Sequence, residues 1–408
     1  MIDLTDRDVT RIRDAVDVLS APLTELLVRA VRSPSVTGGE GEVAVLLHEW
    51  MTARGWTPTL VRVEPTAGHD RANVIVRRGA AEGPLLVLNG HLDVVPPGPA
   101  DAWTRSPYSG QVVDGRIHGR GSVDMKGGIV AGIGALLALE SAGIELTHQI
   151  ELQLVVGEET TGVGTREAVR ALDLTEVAGA IVLEPTCGRI VTVNTGLQFF
   201  DVRVSGRAAH SSAPWEGVDA FAKLLLVREA MQAEAQRRSA RYRHPLLAGV
   251  PDPMPFVVGE VSAGTYRAAV PAHARMTGRY GLQPGESVRE ARAAFAAAID
   301  EIADRDPWLR DHRPELIWDH MGLPGWDTDQ DSDVVRALVR ARDLATGSAE
   351  LTGFTAGSDA AVYGAALVPT VVFGPGDVAL AHAPDESVAM VDVLECATTL
   401  ALALAGLA

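Results

Sequence analysis

The chain has 408 residues, 47% of them apolar and 22% charged, and a formal net charge of −17. That length supports sizeable cores in more than one domain, and the acid excess argues against a nucleic-acid partner, because phosphate binding needs a basic stripe. No run of about 18 or more apolar residues occurs, so no membrane span is expected, and two cysteines, Cys187 and Cys396, make neither a disulfide framework nor a cysteine zinc site.

The first residues are charged and lack the apolar core of a signal peptide, so a cytoplasmic location is the default expectation. Residues 8–32 read as an amphipathic helix, with Val9, Ile12, Val16 and Leu19 at helical spacing and an interruption expected at Pro22. Residues 42–54 read as a second helix. Residues 71–77 and 84–89 read as strands, the second a near-continuous apolar run of the kind covered on both faces. A Gly- and Ala-rich helix over 127–139 follows, then strands over 149–156 and 180–183. This alternation predicts an α/β fold, a mostly parallel sheet flanked by helices. Near Thr195 the pattern changes. Residues 197–204 largely alternate apolar and polar, as in an antiparallel strand with one wet face. A helix over 220–237, strands over 256–261 and 274–280, and a helix over 287–304 come next. An α+β domain of residues 197–317 is therefore expected inside a discontinuous catalytic domain of residues 1–196 and 318–408. The latter resumes with a helix over 331–345, a strand over 370–373 and an apolar terminal helix from Asp392.

Acids and imidazoles cluster at or just past the ends of these apolar segments. His91 and Asp93 follow Leu-Leu-Val-Leu-Asn-Gly; Asp124 sits in Gly-Arg-Gly-Ser-Val-Asp-Met-Lys-Gly-Gly; Glu158 and Glu159 follow Leu-Gln-Leu-Val-Val-Gly; Glu184 follows Ala-Ile-Val-Leu; His382 lies beyond Gly-Pro-Gly. In an open α/β sheet, groups at the carboxyl ends of strands converge on one crevice. Each residue also has an ordinary reading: a solvated loop for His91 and Asp93, a helix N-cap for Asp124, a surface acid pair for Glu158 and Glu159. Side chains two apart in an extended segment share a side, so Asp93 could accept a proton from one ring nitrogen of His91 while the other ligates a metal. Two adjacent carboxylates at a buried strand end repel unless a cation or proton compensates, which leaves one free to act on water. A nucleotide-binding reading fails, since Gly119-Arg-Gly-Ser-Val-Asp has neither a phosphate-loop lysine nor dinucleotide glycine spacing.

Taken together, His91-x-Asp93, Gly-Arg-Gly-x-x-Asp124-Met-Lys-Gly-Gly, Glu158-Glu159-Thr, Glu184-Pro-Thr and Gly-Pro-Gly-…-His382-Ala-Pro-Asp-Glu resemble the di-zinc amidohydrolases, the family of acetylornithine deacetylase, succinyl-diaminopimelate desuccinylase, aminoacylase and glutamate carboxypeptidase. The resemblance spans nearly the whole chain, in family order. It implies a zinc-peptidase-like catalytic domain and two Zn2+ ions, for which Co2+ can substitute. His91 and Glu184 would hold one ion, Glu159 and His382 the other, and Asp124 both. Glu158 would be the general base, Asp93 the residue that orients His91, and the peptide after Asp124 cis. The inserted domain would act as a lid and dimerisation domain. In Gly206-x-Ala-Ala-His210-Ser, His210 would reach the partner subunit's site and hydrogen-bond the oxyanion. Arg279, Gly357 and Ser358 fall where relatives contact substrate. One departure stands out: many relatives carry Asn at the place of Ala268, three residues before Pro271. The implied partners are a small amide substrate and a second copy of the chain. The implied function is hydrolysis of a small N-acylated amino acid or related metabolite. A dipeptide, a carboxypeptidase substrate or a formamide is the alternative under the same chemistry, and a non-catalytic metal- or peptide-binding relative is the rival class.

Overall fold

A computed structural model describes residues 2–63 and 71–407, with all side chains among them except those of His320 and Met321. The chain divides into two compact units: Met1–Thr192 with Thr328–Thr352 and Ser358–Ala408, and Val193–Asp327 with Gly353–Gly357.

The first unit is built on a mixed sheet. At its centre the strands Gln149–Val155, Leu85–His91, Val177–Val182 and Thr370–Val372 lie side by side and parallel. Arg71–Gly79 and Thr59–Val63 extend one side antiparallel, and Ile190–Asn194 joins the other side antiparallel to Thr370–Val372. The sheet is thus parallel where the apolar runs are longest and antiparallel outside them. Every residue of Leu85–His91 is buried, as a strand covered on both faces requires. Register is tight at its carboxyl end: His91 pairs with Val155, and Asn89 with Val182.

The Gly127–Ala142 helix is buried along nearly its whole length, with the Asp6–Arg32 and Met390–Gly406 helices packed on it. Over Ser122–Ala142 the chain is long and apolar enough to cross a membrane, but its apolar window is buried inside the protein. Its glycines allow close approach. A Cβ on Gly128 would lie 1.9 Å from the carbonyl oxygen of Leu183, so this helix can lie directly against the end of the neighbouring strand only without a side chain there.

The break expected at Pro22 does not occur: one helix runs Asp6–Arg32 through it. A proline removes the hydrogen bond to the carbonyl four residues earlier. Here that residue is Val18, which is 80% exposed, so the gap in the hydrogen-bond ladder falls on the solvent side of the helix. The capping box of Thr5 and Asp8 and the apolar stripe of Ile12, Val16, Leu23 and Leu27 outweigh the local penalty.

The second unit is an antiparallel four-stranded sheet, ordered Val257–Ala263, His273–Leu282, Gly196–Ser205, Glu315–Leu323. The helices Ala220–Arg241 and Val288–Arg305 pack on it and on each other. Asp219 caps the first, and a capping box of Ser287 and Glu290 starts the second. Phe200, Val202, Leu224, Met231, Tyr280 and Phe295 fill its core. The unit reaches beyond 197–317 because Glu315–Leu323 pairs with Gly196–Ser205, a fourth strand whose alternation is weak in the sequence.

Candidate active site

The first unit brings the acidic and imidazole residues of the strand ends to one place. His91, 1% exposed, ends the Leu85–His91 strand. Its Nδ1 donates to the backbone carbonyl of Asp93 at 2.8 Å, which leaves Nε2 as the ring position facing the carboxylates. Asp124 Oδ1 lies 3.0 Å from that Nε2 and Glu184 Oε1 3.7 Å from it. The other oxygen of Asp124, Oδ2, lies 3.3 Å from Nε2 of His382, and Glu159 Oε2 is 3.0 Å from the same nitrogen. One carboxylate therefore sits between two imidazoles, with a further carboxylate beside each. The Asp124–Met125 peptide is cis.

Glu158 and Glu159 turn to different neighbours. Glu159 shares a ligand-sized cluster with His91 and Asp124, whereas Glu158 shares one with His91 and Glu184; in each, one donor atom per residue lies within 4.8 Å of the others. The turn that splays them is held by Asp93, which is wholly buried. Asp93 Oδ1 accepts the Glu158 N–H at 3.0 Å, and Oδ2 accepts the Glu159 N–H at 3.2 Å and the Thr37 hydroxyl at 2.8 Å. The carboxylate stands 3.7 Å from Nδ1 of His91, so the backbone oxygen of Asp93, not its side chain, accepts the ring proton. Its place two residues after His91 made the side chain the natural orienter in the sequence, but the chain bends after the strand and turns the carboxylate to the acidic turn.

Electrostatics mark these groups as built for a cation. Burial pushes Glu158 well above the ordinary carboxylate range, and Glu184, Asp359 and Glu159 add to the effect while His91 opposes it. Burial, together with Asp124, does the same to Glu184. Asp124 is driven the other way, because hydrogen bonds from His382 and His91 overcome its burial. His382 is raised to about 10 by its hydrogen bonds to Asp124 and Glu159. His91 is raised well above its usual value, with burial outweighed by Asp124, Glu184 and Glu158. Carboxylates packed this closely hold protons unless positive charge compensates. The donor set, imidazole nitrogen with carboxylate oxygen around a shared carboxylate, suits zinc or a similar divalent ion.

Around the cluster lies a buried polar layer. Asp359 accepts the Thr165 hydroxyl at 2.6 Å, and Thr165 accepts from Asn89 at 2.9 Å; burial raises Asp359 to about 6. Lys126 is 1% exposed and donates to the carbonyls of Ala30 at 2.8 Å and Ser33 at 3.1 Å. It thereby caps the end of the Asp6–Arg32 helix from the Asp124 turn. Thr37, Lys126, Thr165 and Glu386 were not singled out from the sequence. Lys126 and Glu386 lay inside quoted motifs, where their offsets of two from Asp124 and four from His382 were a usable signal; Thr37 carried none.

The remaining candidates divide between the units. Ser358 belongs to the first and is buried, and its hydroxyl has no partner among the described residues. His210, Arg279 and Gly357 belong to the second. His210 is exposed, and its Nδ1 lies 2.7 Å from the Ser212 hydroxyl and 3.2 Å from the Ser212 backbone N–H. Arg279 donates to the Thr355 carbonyl at 3.2 Å.

A central parallel sheet whose strand ends gather two imidazoles and four carboxylates defines a metal-dependent hydrolase, and comparison with known proteins specifies which kind. The model of peptidase family M20/M25/M40 matches residues 87–406, and the chain belongs to that family. The N-formyl-4-amino-5-aminomethyl-2-methylpyrimidine deformylase of Halalkalibacterium halodurans is 26% identical over 333 residues, 77% of each chain. The acetylornithine deacetylase of Pectobacterium carotovorum subsp. carotovorum is 26% identical over 377 residues, covering 90% of this chain and 92% of that one. Among solved structures, the M20 family metallo-carboxypeptidase Sso-CP2 from Sulfolobus solfataricus shares the fold with a TM-score of 0.76 at 17% identity, over 93% of this chain and 98% of that one. YXEP of Bacillus subtilis, described as a dinuclear metal-binding peptidase of the M20 family, gives a TM-score of 0.65 at 16% identity, over 95% and 98%. The amidohydrolase reading of the sequence stands with the family.

Proposed function

We propose that this protein hydrolyses the amide bond of a small N-acylated amino acid or related metabolite, using two zinc ions for which cobalt can substitute. The observation that carries this reading is the Asp124 carboxylate, whose two oxygens face different imidazoles, His91 and His382. His91 and Glu184 would hold one ion, Glu159 and His382 the other, and Asp124 both. Bound there, two such ions would supply an activated water and polarise the substrate carbonyl. Glu158 takes the proton of the attacking water and delivers it to the leaving nitrogen. Asp93 keeps Glu158 and Glu159 turned to their separate tasks. His210, reaching a partner subunit in a homodimer, would donate from Nε2 to the oxyanion. Ser212 occupies Nδ1, which supports this role because it leaves Nε2 as the outward ring position.

A formamide is the second substrate class. It is favoured by the deformylase relative and by Ala268, which removes an Asn side chain from the segment before Pro271. The deciding experiment is a panel of N-acetyl and N-succinyl amino acids, dipeptides and formamides offered to metal-loaded protein. Turnover should vanish with a chelator and return with zinc or cobalt. Protein that binds two ions yet cleaves nothing on the panel would instead be a metal- or peptide-binding relative.

A further inference from the structure

Glu386 lies four residues past His382 and is wholly buried, yet neither of its oxygens faces the ligand cluster. Oε1 accepts the backbone N–H groups of Val123 at 3.0 Å and Asp124 at 3.2 Å. Oε2 accepts from Nη1 of Arg120 at 2.5 Å, and Arg120 is itself 2% exposed. The backbone carbonyl of Glu386 accepts the Gly119 N–H at 2.9 Å. Directly afterwards, Ser387–Ala389 pairs with Arg116–His118. Asp385, the preceding residue, accepts from the N–H and hydroxyl of Thr104 at 2.8 and 2.7 Å. A buried ion pair is a costly way to brace two loops, since taking the charges out of water costs several kcal/mol per ion. Its geometry here has a more specific product. The segment that carries His382 to one oxygen of Asp124 also fixes the main chain of Asp124 from behind.

We propose that Glu386, with Arg120, is a positioning residue of the metal centre: it sets the Asp124 carboxylate against His382 so that the two ion sites form together. The inference rests on the two-ion reading above. Groups that orient ligands in this way typically contribute about 10–100-fold to metal affinity.

The test is a chelator-competition titration of zinc and cobalt on wild type, Glu386→Ala, Glu386→Gln and Arg120→Met. Metal content is read by elemental analysis, the visible spectrum is taken on the cobalt-loaded form, and the thermal midpoint is taken on the chelator-treated form. Glu386→Ala and Arg120→Met should bind ions about 10–100-fold more weakly, with an altered cobalt spectrum. Glu386→Gln should recover part of the loss, because its amide oxygen can still accept from Val123 and Asp124. Wild-type affinity and an unchanged cobalt spectrum in the variants, with only the metal-free midpoint lowered, would make the pair a structural brace and overturn the proposal. Should Glu386→Ala fail to fold, Arg120→Met decides on the same two readouts. Wild type that binds no divalent ion would instead bring down the two-ion reading, and this inference with it.

Discussion

Glu158 and Glu159 are chemically the same residue one position apart, and Asp93 holds the turn that faces them to different neighbours. By accepting both of their N–H groups, Asp93 fixes a turn in which Glu159 meets His382 and Glu158 meets His91 and Glu184. Glu158 could in principle ligate from that position, so base and ligand roles must be separated by measurement. Glu158→Gln should keep wild-type metal content and lose about 10²–10⁴-fold in kcat, the usual contribution of a general base. Metal content that falls along with activity would make Glu158 a ligand instead.

The parallel strands place the chemistry, and the helix Gly127–Ala142 keeps them in place. Its contact with the end of Val177–Val182 passes through Gly128 and the Leu183 carbonyl, one residue before Glu184. Gly128→Ala inserts a methyl group where no space exists and should lower stability by about 1–3 kcal/mol, read as a shifted urea midpoint at unchanged slope. It should also weaken metal binding, since Glu184 moves with Leu183. The elements that carry ligands were the ones most readable in the sequence. Leu85–His91 is a largely apolar run because both its faces are covered, and an imidazole after such a run is conspicuous. Three kinds of feature were not readable. The helix through Pro22 depends on Val18 lying on the solvent side, and the strand Glu315–Leu323 depends on its partner Gly196–Ser205. The turn of the Asp93 carboxylate toward Glu158 depends on how the chain bends after a strand. All three are decided by tertiary surroundings that local spacing does not encode.

All five proposed ligands and Glu158 belong to the first unit, although the second interrupts it in the chain. Metal should therefore stabilise the protein by an amount set by mass action, about 4 kcal/mol at a free ion concentration a thousand times the Kd. The gain should fall where the ligands are. Hydrogen exchange on zinc-loaded and chelator-treated protein should show added protection in Leu85–His91 and Gln149–Val155, with His273–Leu282 as the internal control; protection that rises equally in all three would contradict it. The order of the ligands along the chain bears on how the protein is made. The ribosome delivers His91, Asp124, Glu158, Glu159 and Glu184 early, but His382 roughly 200 residues after the last of them, a delay of roughly 10–40 s at about 5–20 residues per second. Throughout that interval the nascent polypeptide carries four of the five proposed ligands, rich in negative charge, and lacks the second imidazole. On the proposed assignment, the ion held through His382 would therefore be captured only late in synthesis, after the ligands of the other site are already present.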